Sequence, residues 1–272
     1  MPELPEITVI AKQMHKELKG KTIEDVEIKQ PKNLNIPAPK FVKAIKGKTV
    51  EDVSSHGKWL FMKLKARYLL INLGMGAELI YFKPEQRLPD EYQFKLVFSD
   101  KTGFTAHFWW FGYIHLASER DLQSHKMTAS LGKSPIDKVF TLDYFRKALG
   151  NRKTSVKSFL LDQKNVAGIG NVYIQDILFK AKLHPNRKIL TLTENEKEKL
   201  YRAIRDVLNR SIKLGGLAYE KDFYGRKGRF TGTEFLVGYK TGKPCPTCGT
   251  IIEKIRTGST ASYICPECQR LN

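Results

Sequence analysis

Four cysteines, all within the last 28 residues, stand as Cys245-x-x-Cys248 and, after sixteen intervening residues, as Cys265-x-x-Cys268. No other feature restricts the fold so tightly. Two such knuckles at this separation match a zinc ribbon, in which neighbouring hairpins present four thiolates to one tetrahedral Zn2+. A disulfide framework would need an oxidising compartment, and "MPELPEITVI" has no apolar run of the kind a secretion signal requires. Four sulfur ligands leave no coordination position open. The expected zinc, one per chain, is therefore structural, and any catalyst lies elsewhere.

The 272 residues include 41% apolar and 11% aromatic side chains, enough for the cores of two ordinary domains. Lys and Arg number 47 against 28 Asp and Glu, a formal charge of +19 that favours a polyanionic partner, nucleic acid first. No stretch reaches the apolar length of a membrane span, so an intracellular protein is expected, cytoplasmic or nucleoid-associated in a prokaryote, with no membrane partner. Ile7, Ile10, Met14 and Leu18 recur at helical spacing, with Gly20 as the stop. Then "IEDVEIKQ", "KTVEDVS", "KWLFMKLKARYLLINLGM", "ELIYF", "YQFKLVFSD" and "TGFTAHFWWFGYIHL" read as β-rich runs. Residues 1–117 are expected to form a β-sandwich with one leading helix. Beyond Ser118 the chain turns helical, in "LDYFRKAL", "SVKSFLLDQ", "NVYIQDILFKAKL" and a long segment opened by a Thr193-x-x-Glu196 capping box. This gives an α+β chain of two main domains, 1–117 and 118–242, with the cysteine module over 243–272.

The start, Pro2-Glu3-Leu4-Pro5-Glu6, is consistent with a stiff helix entry whose carboxylates suit the helix dipole. It has a second reading. Removal of Met1 would leave Pro2 with a free secondary amine, a nucleophile near neutral pH because α-amino groups titrate near 8 where lysine needs about 10.4. Taken with Lys58 in "SSHGKWL", the segment "LLDQKNVAGIGNVYIQDIL" and the terminal ribbon, this start resembles the formamidopyrimidine-DNA glycosylase and endonuclease VIII family over nearly the whole chain.

The resemblance implies a β-sandwich, a helical domain with a helix-two-turn-helix, and a zinc finger, with damaged double-stranded DNA held in the cleft. It implies a base-excision repair enzyme in which Pro2 forms a Schiff base at C1′, Glu3 shuttles protons, Glu6 supports it, and Lys58 contacts phosphate near the lesion. Asn72, Lys157 and Asn171 fall where the family binds DNA phosphate, and Met75 and Phe111 where it fills the lesion void. A monomer is expected.

Three positions depart from the family pattern, the first being Asn72, which stands where the family commonly has a histidine before "LGM". Trp109 stands where the family has an arginine that reads the orphaned cytosine, so strict preference for cytosine is not expected. Thr260 replaces a zinc-hairpin arginine, leaving Arg256, or the Ser259 and Thr260 hydroxyls, to serve the phosphate. The segment "GGLAYEKDFYGRKGRF" resembles the flexible loop that covers an everted oxidised purine, which favours formamidopyrimidine and 8-oxoguanine. The alternatives are an endonuclease VIII-like enzyme for oxidised pyrimidines, a non-catalytic DNA-binding homologue, and a basic zinc-ribbon protein for RNA.

Overall fold

The computed structural model describes residues 1–271; Asn272, the last residue of the expected zinc segment, lies outside the described residues. Two compact units emerge. The first contains Met1–Ser130 together with Gly215–Arg229, and the second Leu131–Leu214 and the chain from Phe230 onward.

In the first unit, helix α1 (Leu4–Leu18) buries Ile7, Ile10, Met14 and Leu18 on one face, as their spacing requires. Strands β1 (Ile23–Ile28), β6 (Phe94–Phe98), β7 (Gly103–His107) and β5 (Glu78–Phe82) pair in that order in one antiparallel sheet. Strands β2 (Val50–His56), β3 (Trp59–Leu64), β4 (Arg67–Asn72) and β8 (Tyr113–Ser118) form the other. Met62, Leu69, Ile71 and Ile114 from the second sheet share one core with Leu96, Phe98, Phe104 and Ala106 from the first. Each of these side chains other than Ala106 contributes about 1.5–3 kcal/mol by leaving water.

Two of the β-rich runs each divide into two strands. "KWLFMKLKARYLLINLGM" folds back as the β3–β4 hairpin, with Leu64 opposite Arg67 across the turn. "TGFTAHFWWFGYIHL" splits because β7 pairs with β5 and β6 while β8 pairs with β4, so residues 108–112 cross between sheets. Phe111, at φ +48°, makes the corner. The structure also adds a helix to the one leading helix expected: α2 (Ala38–Ile45) burying Phe41 and Ile45. Its start is masked in the sequence by Pro37 and Pro39, which are compatible with a first turn because no intrahelical N–H is needed there.

The second unit contains α3 (Leu142–Leu149), α4 (Val156–Leu161), α5 (Ile174–Lys180) and α6 (Glu194–Lys213). Thr141, Ser155 and Thr193 cap three of these with side-chain oxygens that accept backbone N–H bonds, the last within the expected capping box. Two turns join α4 to α5, stapled by Gln163: its Nε2 donates to the Ile169 carbonyl at 2.8 Å and its Oε1 accepts from the Gly168 N–H at 2.8 Å. The hairpin of β9 (Glu253–Thr257) and β10 (Thr260–Ile264) closes through the two-residue turn Gly258-Ser259. Among the described residues, no helix is long and apolar enough to cross a membrane.

Candidate active site and metal centre

Pro2 is buried at the mouth of α1, and Glu3 is the N-cap residue of that helix. Glu3 and Glu6 are each only 3% exposed. A carboxylate so deep is costly unless its oxygens are served. Both oxygens of Glu6 are: the Glu3 N–H donates to Oε2 at 2.8 Å, and the Leu217 N–H donates to Oε1 at 3.0 Å. Gly216 makes the second bond possible. It sits at φ +86°, and a Cβ there would stand 2.9 Å from Glu6 Oε1. Glu6 thus ties the first turn of α1 to a segment more than 200 residues away in sequence. The amino group of Met1 lies 3.3 Å from Glu220 Oε1.

Lys58 sits half-buried in the β2–β3 turn. Its carbonyl accepts from Asn72 Nδ2 at 3.0 Å, while Asn72 Oδ1 accepts from the Gly74 N–H at 3.0 Å. The Asn72 side chain therefore braces two loops. The second of them carries Met75, which pairs with Trp110 through reciprocal backbone bonds of 3.0 and 3.3 Å. Gly74 permits that contact, since a Cβ there would fall 1.5 Å from the Phe111 carbonyl oxygen. The result is a braced knuckle with Met75 46%, Trp109 72%, Trp110 62% and Phe111 68% exposed. Aromatics so exposed are not part of the core.

In the second unit, Asn171 lies just before α5, where Gln175 Nε2 donates to its carbonyl at 2.8 Å. Gln175 Oε1 accepts from the Tyr263 N–H at 3.0 Å, coupling α5 to the zinc hairpin. Lys157 is buried in α4, with Nζ donating to Thr257 Oγ1 at 2.8 Å, Ser262 Oγ at 2.8 Å and the Ala261 carbonyl at 2.7 Å. Burial, with no carboxylate partner among the described residues, holds its amine down to about 8. Ser155, Lys157, Ser158, Thr257, Ser259 and Thr260 are among the residues lining a cavity of about 200 Å3, and Arg256 stands exposed on β9.

The four cysteines converge, with all Sγ atoms within 4.8 Å of one another. Cys248 lies 3.4 Å from Cys265 and 3.5 Å from Cys268, and Cys245 lies 3.9 Å from Cys268. A tetrahedral Zn2+ with Zn–S near 2.3 Å needs sulfurs about 3.8 Å apart, so the cluster fits that ion. Burial and the neighbouring sulfurs push Cys268 upward as a free thiol, while hydrogen bonding with Thr250 pulls Cys248 down to about 6.

Sequence reasoning gave no site role to Gly216, the Leu217 amide, Glu220 or Gln175, although the first three lie in "GGLAYEKDFYGRKGRF" and the last in "LLDQKNVAGIGNVYIQDIL". Their partners Glu6, the amino terminus and Tyr263 are remote in the chain, so the local motif does not show the pairing.

Three family models match consecutive parts of the chain. They are the formamidopyrimidine-DNA glycosylase N-terminal domain over residues 1–109, the formamidopyrimidine-DNA glycosylase H2TH domain over 131–222, and a zinc finger found in FPG and IleRS over 242–271. The chain is 35% identical, over the full length of both, to a formamidopyrimidine-DNA glycosylase of Pelotomaculum thermopropionicum. It resembles the Lactococcus lactis Fpg in complex with DNA containing an abasic site at a TM-score of 0.89 and 28% identity, covering 98% of this chain and 99% of that one. A second complex of the same Lactococcus lactis protein, with Fapy-dG-containing DNA, matches at a TM-score of 0.88 and 28% identity, over 98% of this chain and 100% of that one.

Proposed function

Because the chain belongs to the formamidopyrimidine-DNA glycosylase family, we infer that it excises oxidised purines from damaged double-stranded DNA and then cleaves the strand at the abasic site. It is a bifunctional base-excision enzyme, with formamidopyrimidines and 8-oxoguanine as substrates, acting as a monomer. The observation that carries the reading is the Pro2-Glu3 start, set on a buried helix entry that Glu6 holds at both oxygens.

The chemistry follows from these residues. Once Met1 is removed, the neutral Pro2 amine attacks C1′ of an everted nucleotide; its lone pair forms N–C1′ while the glycosidic pair leaves with the base, which takes up a proton. The ring oxygen O4′ then departs from C1′, accepting a proton from Glu3, and the nitrogen loses its own proton to become an iminium. That iminium acidifies C2′. Loss of the C2′ proton expels the 3′ phosphate, and a second elimination expels the 5′ phosphate. Glu6, fixed by two amides, keeps the helix entry and its carboxylate neighbour in place.

Lys58 and Asn171 serve as phosphate ligands, with Arg256, Ser259 and Thr260 from the zinc hairpin. Asn72 and Lys157 act at one remove: the first braces the loops of Lys58 and Met75, the second anchors the hairpin. Met75, Trp109 and Phe111 fill the gap left by the everted base. The zinc, held by Cys245, Cys248, Cys265 and Cys268, fixes the hairpin and takes no part in the reaction. In this reading residues 1–117 carry the nucleophile and its proton carrier, 118–242 the helix-two-turn-helix contacts and the lesion-covering loop, and 243–272 the zinc-hairpin contacts.

Borohydride reduction on duplexes bearing formamidopyrimidine, 8-oxoguanine or an abasic site tests the reading. A covalent adduct through the N-terminal residue is expected on all three. Failure to trap even on the abasic duplex would leave the non-catalytic DNA binder as the better description, and excision confined to oxidised pyrimidines would overturn the substrate class.

A further inference from the structure

The segment that returns to the first unit, Gly215–Arg229, is pinned on both sides of one acidic residue. Upstream, the Leu217 N–H is held by Glu6, and the Glu220 N–H donates to the Leu217 carbonyl at 3.1 Å. Downstream, Lys221 pairs with Glu78 at 2.6 Å, Gln13 Nε2 donates to Asp222 at 2.8 Å, and the Phe223 ring is fully buried in the sandwich core. The Tyr81 N–H completes the anchorage, donating to the Phe223 carbonyl at 2.7 Å. Between these ties the Glu220 side chain is 10% exposed, 3.3 Å from the amino terminus.

We propose that Glu220 is the countercharge of the N-terminal nitrogen, pairing with its ammonium in the resting enzyme and with the iminium that the nitrogen becomes. This rests on the Schiff-base reading above. The charged groups facing Glu220 are the amino terminus, Glu3 and Glu78, the last itself paired with Lys221. Burial pushes the Glu220 carboxyl up, Glu3 and Glu78 add to that, and the amino terminus opposes it. A carboxylate in acidic, half-dry surroundings needs a cation beside it. Successive backbone nitrogens lie at most about 4 Å apart, so removing Met1 leaves the cation on Pro2 within about 7 Å of Glu220 Oε1, where the attraction is weaker but, in half-dry surroundings, not lost.

The pairing discriminates between states. The nucleophilic amine is neutral and gains nothing from Glu220, whereas the iminium nitrogen carries a full charge and has no proton of its own to lose, so the carboxylate favours the intermediate over the reactive ground state. The same attraction favours the protonated resting amine. Glu220 therefore raises the pH at which the nucleophile is released while stabilising what it forms.

The test compares wild type with Glu220→Gln and Glu220→Asp, all with Met1 processed. The titration of the N-terminal proline, followed by NMR of proline-labelled protein without DNA, should move down by about one unit in Glu220→Gln and recover in Glu220→Asp. Trapping on an abasic duplex should show the same downward move of its acid limb in Glu220→Gln, with its plateau lowered about three- to tenfold and affinity for undamaged duplex unchanged. An amine titration that is the same in all three proteins would overturn the proposal, as would a lowered plateau with an unmoved acid limb, the mark of a purely structural role. Failure of wild type to trap would count against the Schiff-base reading, while the NMR titration would still decide the pairing.

Discussion

Trp109 exposes 72% of its surface on a knuckle whose backbone is braced against Met75, so its indole is free to stack but has a single N–H to donate. A guanidinium in its place would offer a planar fork matched to the edge of a base. Excision of one lesion should therefore vary less than about threefold as the opposite base is changed, and Trp109→Arg should sharpen selection for cytosine. Kinetics on four duplexes differing only in that base would check it, and strong cytosine preference in the unmodified protein would show that another side chain reads the orphan. Glu3 makes a second residue-scale test. Glu3→Gln keeps the nucleophile but removes a proton carrier, so excision should fall by about 10²-fold or more while affinity for abasic DNA stays. Equal losses in affinity and rate would assign Glu3 to binding.

The segment 215–230 reads in sequence as a flexible cover, yet Phe223 plugs it into the sandwich core and Tyr224 Oη donates to Glu17 at 2.7 Å. Phe223→Ala should cost about 3–5 kcal/mol and expose Arg226 and Lys227 to trypsin well before global unfolding. Unchanged cleavage would mean that the polar ties suffice. Helix α4 offers a pH test. Below about pH 8 the buried Lys157 amine is charged in both folded and unfolded chains, and burial then opposes folding. Between about pH 8 and its ordinary 10.5 only the unfolded chain holds the extra proton, so stability rises with pH. Relative to Lys157→Met, wild type should gain about 1–2 kcal/mol across that window, allowing for solvent screening, as read by denaturant unfolding at matched pH. Such ties mark the limit of what the sequence made legible. Periodicity and capping signals placed α1, α3 and α6 closely, and local spacing placed the cysteines. Crossing points such as residues 108–112, the Pro-masked α2, and the partners of Glu6 and Lys157 depend on pairings remote in the chain, which no window of sequence contains.

At the scale of the whole molecule, a formal charge of +19 makes association with DNA chiefly an exchange of counterions for lysine and arginine. Lys58 belongs to the first unit, and Asn171, Arg256 and the hairpin hydroxyls to the second. If about five phosphates are met, log K should fall by about 4–5 for each tenfold rise in salt on duplex DNA. The hairpin's share can be separated by removing zinc, because the metal closes a module whose own buried core is small: Phe179, Val237, Cys245, Ile252 and Cys265. Without it the four thiolates repel, and β9 and β10 lose the frame that holds Arg256, Ser259 and Thr260. Chelation should release about one zinc per chain, lower affinity for duplex at least tenfold and make the salt slope shallower by about one to two. The first unit contains no zinc ligand, so the Pro2 amine should still form a trapped adduct once abasic duplex is supplied at saturating concentration. A zinc-free protein with undiminished affinity would remove the hairpin from the DNA contacts. Loss of trapping at saturation would instead make the metal a condition for the N-terminal chemistry, which a purely structural ion in another unit does not allow.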